Sequence, residues 1–463
     1  VKVPDEHCGF LRFLWWDASD TSKDVIDYEM TAHVFGGSSS PSCSNFALRK
    51  TAADNIKEYG EMVAEILERN FYVDDMLKSF ETATKAAKII KQVKALCSKG
   101  GFNLTKFISN NADVLKSIPE QHRRQNVKDA DLLFGSLPED RALGVKWNIE
   151  NDTVGFQIKL TDNPLTRRGL LSMLSSIYDP LGLGAPFMLK GRLIIQQLCR
   201  DKLEWDDSIG ESAVIEWSKW KRDLETVKTI SIPRCYKPTK FGKIVNCSLH
   251  HFSDASENGY GQASYLRLIN DKNEVHCCLV FGKSRVAPVK YVFIPRLELT
   301  AATLSVKVSK ILTEELDIKI NSEIFWTDSQ VVLGYIKNEN RRFKIFEANH
   351  VQLICDSTSV EQWKYVSTSE NPADDASRGL DPNNSVKIQR WFSGPQFLWS
   401  RDEDWTRNRV VEPVDESDPE LKIEMKVYLA KLKNTIISKL QTLTSNWQKM
   451  KRIIATVILI KDI

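Results

Sequence analysis

Four acids in the C-terminal half stand where strand-like and helix-like runs begin or end. Asp254 closes a strand in Ser253-Asp254-Ala255-Ser256, and Gly259 and Gly261 open the next one. Glu298 falls in the first turn of an apolar helix entered at Pro295, Asp328 ends the run Trp326-Thr327-Asp328, and Asp374 follows Asn371-Pro372-Ala373. Strands pointing the same way in one sheet bring their ends together, so Asp254 and Asp328 are expected at one edge. A helix start can bring in each of the other two. Four carboxylates with no Lys or Arg between them repel unless cations neutralise them. Two Mg²⁺ ions about 3.5–4 Å apart do so, one activating water and the other steadying the leaving oxygen of an in-line phosphodiester cleavage. Mg²⁺ suits the set because it takes carboxylate and water oxygens. Any one of these acids alone reads as a cap or a turn; their joint fit is what points to a metal site. Spacing leaves Asp375 open as the fourth acid.

Two other groupings carry less. Tyr72-Val73-Asp74-Asp75 places adjacent acids at the tip of an expected hairpin, where a metal would offset their repulsion and a plain solvent turn is the blander reading. His250, His251, Cys277 and Cys278 suggest zinc, but neighbours on a strand point to opposite faces and a structural zinc site needs four converging ligands.

The elements that must position these residues follow from periodicity. Residues 47–70 read as helix, 70–77 as a hairpin turning at Asp74-Asp75, and 81–97 as a Lys-studded helix stopped by Gly100-Gly101. A ribbon is expected over 143–148 and 153–160, then helices over 189–199 and 212–227. The stretch 231–243, with Pro233, Pro238 and Gly242, reads as a linker and a domain boundary. Beyond it, strands over 244–253, 260–268 and 275–281 lead into a helix striped by Leu297, Ala301, Leu304, Val308 and Ile311. A strand at 322–327, helices at 331–337 and 342–356, and a strand at 362–366 complete an α/β unit of ordinary domain size.

Composition sets the outer limits. The 463 residues carry a net charge of +3, with 42% hydrophobic and 27% charged. That excludes wholesale disorder, and no apolar run reaches the ~18 residues of a membrane span. Nine scattered Cys without a Cys-x-x-Cys pair read as reduced thiols of an intracellular protein that is not secreted. Between Lys78 and Lys128 eleven Lys/Arg face three acids. A solvated helix face is the plainer reading; tracking of a phosphate backbone is the other.

Taken in order, these strings resemble the polyprotein of a BEL/Pao-type LTR retrotransposon over nearly the whole chain. Val34-Phe35-Gly36-Gly37 through Pro41 resembles the nucleotide-pocket motif of reverse transcriptases, and Tyr72-Val73-Asp74-Asp75 the catalytic motif of the palm. Gly101-Phe102-Asn103-Leu104-Thr105-Lys106 is similar to the motif whose Lys faces the nucleotide, and Leu143-Gly144-Val145-Lys146-Trp147 to the primer-gripping ribbon. Residues 175–182 and Trp205-Asp206-Asp207 resemble the family's connection, and the four acids with residues 371–378 its RNase H site.

The resemblance implies an α+β and α/β chain. A partial palm (1–160), a helical thumb or connection (161–240), an RNase H-like domain with a mixed five-stranded sheet flanked by helices (241–381) and a Trp-containing lead-in to an integrase region (382–463) are expected. It implies Mg²⁺ on Asp254, Glu298, Asp328 and Asp374, and on Asp74 and Asp75, with Phe35, Gly36, Pro41, Tyr72, Lys106 and Trp147 at the nucleotide and primer. Implied partners are an RNA–DNA hybrid, an RNA template, a DNA primer and, in the full polymerase, dNTP. The compartment that the resemblance implies is a cytoplasmic particle or the nucleus. The polymerase's further Asp and its fingers would lie before Val1, so an interior slice that cuts RNA in hybrids without polymerising is expected. A nucleic-acid-binding relic without turnover is the alternative.

Overall fold

The computed structural model describes residues 1–34, 36–124, 139–142, 145–338, 342–401, 405, 414–415, 418–422 and 447–461. Two units are distinguished: Val1–Glu339 with Phe346–Val414, and Asn340–Ile345 with Asp415–Ile463.

In the larger unit, helix α1 (Asp5–Cys8) precedes an antiparallel ribbon of β1 (Arg12–Trp16) and β2 (Val25–Glu29). The helix expected over 47–70 is three pieces, α2 (Ser40–Asp54), α3 (Ile56–Tyr59) and α4 (Glu61–Arg69). Gly60 breaks it by taking φ +84°, which a side chain would resist. The apolar positions survive the break: Leu48, Ala52, Val63 and Leu67 bury against Ile89, Val93 and Leu96 of α5 (Ala83–Lys99). Between them β3 (Phe71–Tyr72) and β4 (Asp75–Met76) form the short hairpin. Thr82 caps α5 by accepting from the Lys85 amide, and α6 (Ala112–Lys116) follows.

A four-stranded antiparallel sheet joins β5 (Glu139–Ala142), β6 (Val145–Asn148), β7 (Thr153–Gly155) and β8 (Ser231–Pro233). The start of the expected linker is therefore an edge strand; Pro233 is tolerated at its end. Helices α7 (Arg167–Ser175), α8 (Ala185–Arg200) and α9 (Glu211–Val227) lie between β7 and β8 in sequence.

The main sheet holds β9 (Ile244–Ala255), β10 (Gly259–Asn270), β11 (Val275–Val286), β12 (Ser322–Thr327) and β13 (Trp363–Tyr365), in the order β11-β10-β9-β12-β13. The first three form an antiparallel meander, while β12 runs parallel to β9 and β13 parallel to β12. Alternation sorts the faces: Cys247 and Leu249 pack on Val308 and Leu312 of α10 (Ile294–Glu315), and Phe252 belongs to the core on the other side. Helices α11 (Gln330–Lys337), α12 (Ile345–Ser357), α13 (Ala373–Arg378) and α14 (Ser385–Ser393) complete this part.

One core runs across residues 240/241 and 381/382. Phe187, Met188 and Trp220 share it with Phe252, Tyr265 and Trp391. Trp391 is fully buried, its indole donating to the Leu183 carbonyl at 2.8 Å, and the Tyr265 hydroxyl donates to the Trp391 carbonyl at 2.8 Å. Gly182 has φ +64°, and a Cβ there would lie 1.8 Å from the Gly282 oxygen, so the 180–184 turn sits directly on edge strand β11. Residues on both sides of the meander thus finish its apolar cover.

In the smaller unit Phe343 and Leu421 form an antiparallel bridge, and α15 (Trp447–Lys461) is helical. Residues 423–446, within the expected lead-in, lie outside the described residues. Among the described residues, no helix is long and apolar enough to cross a membrane.

Candidate active site

Parallel pairing of β9 with β12 sets the geometry. The register with β12 ends at Thr327 beside Ser253; Asp328 follows directly, while Asp254 is still within β9, paired with Gly261 of β10. Glu298 comes from α10, one turn further in than expected because the helix begins at Ile294. Asp374 sits in the first turn of α13. Asp254, Glu298 and Asp328 line one cleft of about 450 Å³, together with Thr368, Arg378 and the Ser256–Asn258 turn.

Each carboxylate is held by a neighbour. Ser377 Oγ donates to Asp254, and Ser329 Oγ to Glu298 at 2.5 Å. Asp328 accepts from Thr368 Oγ1 at 2.6 Å and Asn371 Nδ2 at 3.2 Å, while Arg378 Nε pairs with Asp374. Of these partners, Ser329 had a sequence sign: its hydroxyl also caps α11 by accepting from the Val332 amide. Thr368 had none.

The electrostatics are those of crowded acids. Burial first, and then the Asp328 charge, push the Asp254 carboxyl up to about 8 against the hydrogen bond from Ser377; Asp374 and Glu298 add to the rise. Glu298 is raised by burial and by Asp328. Such a site invites positive charge.

Among the described residues, no three His, Cys, Asp or Glu side chains stand together as a ready ligand group. As placed, the carboxylates turn to the hydroxyl, amide and guanidinium partners just named. The donor chemistry nonetheless fits Mg²⁺: all are hard oxygens, and an ion that keeps several waters needs only one or two carboxylates directly.

Asp375 points elsewhere. It is fully buried, between Arg390 Nη2 at 2.5 Å and Lys387 Nζ at 3.3 Å, and locks α13 to α14. Asp375→Ala should therefore cost about 3 kcal/mol in denaturant unfolding by stranding Arg390. A loss under about 1 kcal/mol would remove that anchoring role.

The N-terminal candidates lie apart from this cleft. Asp74, Asp75, Tyr72 and Lys106 are exposed, with Val73 and Lys106 at φ +57° and +58°. Gly36 takes φ +89°, Pro41 is the second residue of α2, and Phe35 lies outside the described residues. Trp147 is buried: its indole donates to Asp152 at 3.0 Å and the Arg234 guanidinium lies 5.7 Å from its ring. His250 bonds the Trp326 indole at 3.1 Å, and His251, on the opposite face, bonds Ser264 at 2.8 Å.

Against known families the chain gives one assignment. Residues 166–329 match the Pao retrotransposon-like RNaseH-like domain. The matched stretch, about a third of the chain, begins at α7, well before β9, and includes Asp254, Glu298 and Asp328 but not Asp374. The mixed five-stranded sheet with flanking helices, whose last strand lies beyond the matched stretch, is an RNase H-like fold. Solved structures similar to it include RNase H1 from the halophilic archaeon Halobacterium salinarum, at 12% identity and TM-score 0.20, covering 29% of this chain and 94% of that one. The N-terminal RNase H domain of a Mycobacterium tuberculosis protein, fused to maltose binding protein, gives 9% identity, TM-score 0.21 and coverages of 28% and 95%. LC11-RNase H1, solved in complex with an RNA/DNA hybrid, gives 10% identity, TM-score 0.20 and coverages of 28% and 93%. No curated protein matches the chain.

Proposed function

We propose that the chain cuts the RNA strand of RNA–DNA hybrids, with Asp254, Glu298, Asp328 and Asp374 holding two Mg²⁺ ions. The observation that carries this is one cleft lined by Asp254, Glu298 and Asp328, the two aspartates each following the last paired residues of parallel strands β9 and β12. Bound Mg²⁺ supplies an activated water and a stabilised leaving oxygen. The chain's own residues do the positioning. Asn371 and Thr368 fix Asp328, Ser377 fixes Asp254, and Ser329 fixes Glu298. The RNA strand would be told from DNA by its 2′-hydroxyls, read across the minor groove. Residues 1–160 we read as a palm remnant and 161–240 as the connection, on the sequence motifs; the exposed Asp74-Asp75 hairpin is compatible with a polymerase site completed by RNA template, DNA primer and dNTP in a longer polyprotein.

The test is the full chain with labelled hybrid and Mg²⁺. Cutting should be abolished by chelation and should spare duplex DNA. Glu298→Gln and Asp328→Asn should each slow it at least ~100-fold, the scale of losing one preorganised electrostatic group. Binding of hybrid without any Mg²⁺-dependent cutting would leave a binding protein instead.

A further inference from the structure

We propose that Arg378 is a built-in counter-ion of the cleft, which holds Asp374 in the metal-free protein and must yield it when a divalent cation binds. The inference rests on the nuclease reading and adds a regulatory residue to it. Among the described residues lining the cleft, Arg378 is the one cation, facing Asp254, Glu257, Glu298 and Asp328. Its Nε pairs with Asp374, four residues before it on α13.

The two acids of α13 are served differently. Asp375 is clamped by two cations, and Arg390 of that clamp is further tied to the Ser369 carbonyl at 2.6 Å. Asp374 has Arg378, whose side chain is 57% exposed. The buried clamp is structural and cannot open without loss of packing. The exposed guanidinium can swing into water at little cost, because an exposed pair gains little net stability. At the last residue of α13, just before Gly379 turns the chain at φ +90°, Arg378 is free to leave. A cation of the chain and a cation from solution therefore compete for one carboxylate.

Calorimetric Mg²⁺ binding to the full chain tests this without any turnover. Arg378→Gln should bind Mg²⁺ about three- to fivefold more tightly than the unaltered chain, the range available to a partly exposed ion pair. Arg378→Lys, which keeps a point charge, should fall between the two. Unchanged or weaker binding by Arg378→Gln, or a Lys variant as tight as the Gln variant, overturns the proposal. In the unaltered chain, saturating Mg²⁺ should speed phenylglyoxal modification of Arg378, read by peptide mass; an unchanged or slower rate overturns it as well. Asp254→Asn separates the two readings. If that variant binds Mg²⁺ as the unaltered chain does, the nuclease site fails; if it loses binding while Arg378→Gln gains none, only the counter-ion fails.

Discussion

Asp254→Asn will abolish hybrid cutting and at the same time stabilise the metal-free protein in mild base. Both effects come from one carboxylate in a crowd of like charges. Its folded pKa stands at about 8 against an ordinary 3.8, with burial as the first cause and Asp328 as the second. Between those values the folded chain holds a proton that the unfolded chain has released. The stability associated with Asp254 is therefore fully present below about pH 4 and is lost as pH climbs to about 8. Asn carries no such liability. Without divalent metal, the variant and the unaltered chain should melt together near pH 4, with the variant ahead by about 5 °C at pH 8. Mg²⁺ should raise the melting point of the unaltered chain and leave the variant nearly still. Cutting should fall by at least ~100-fold. A melting difference that ignores pH, or has the opposite sign, would mean that burial and neighbouring acids do not hold the Asp254 proton.

A fragment of residues 241–381 will not fold, whereas one of residues 156–401 will. The shorter piece contains every strand of the main sheet and all four acids, so its failure would come from lost cover alone. Trp391 goes, along with the carbonyl that receives the Tyr265 hydroxyl. Arg267, 1% exposed on β10, loses the Leu398 and Ser400 carbonyls that its guanidinium contacts at 2.7 Å each. A buried cation stripped of two of its acceptors costs several kcal/mol. Phe187, Met188 and Trp220 go with α8 and α9, leaving one face of the meander wet. In the longer piece Trp391→Ala should still cost about 3–5 kcal/mol, as truncation of a buried aromatic does. Cooperative thermal unfolding by circular dichroism decides the matter. A cooperative transition from the 241–381 fragment would show that the outer helices are ornaments.

Local signals carried the acids and the strands that present them. Alternation marks β9 and a short apolar run marks β12 without help from distant residues; Asp328 follows directly where β12 stops, whereas β9 continues through Asp254 to Ala255. Other features depend on partners far along the chain. Asp374 and Asp375 differ by one helical step of about 100°, which turns one to Arg378, itself a cleft residue, and the other into the core. Nothing in their spacing says which goes where. Lys387 and Arg390, which decide it, lie on another helix. The prolines of 231–243 read as linker, yet Ser231–Pro233 finds an edge position beside β7. Trp147 has a ring suited to gripping a primer, but Asp152 and Arg234 enclose it.

Asn371 has a further consequence. Its buried amide donates both to Ser253, 118 residues earlier, and to Asp328, 43 residues earlier. The seating of the Asp328 carboxylate beside the Ser253 carbonyl is thereby set by a side chain that a ribosome adds long after both. Until Asn371 and the short helix behind it have emerged and docked, a growing chain holds the acids in place only through the sheet. The proposed nuclease site should consequently be completed only late in translation.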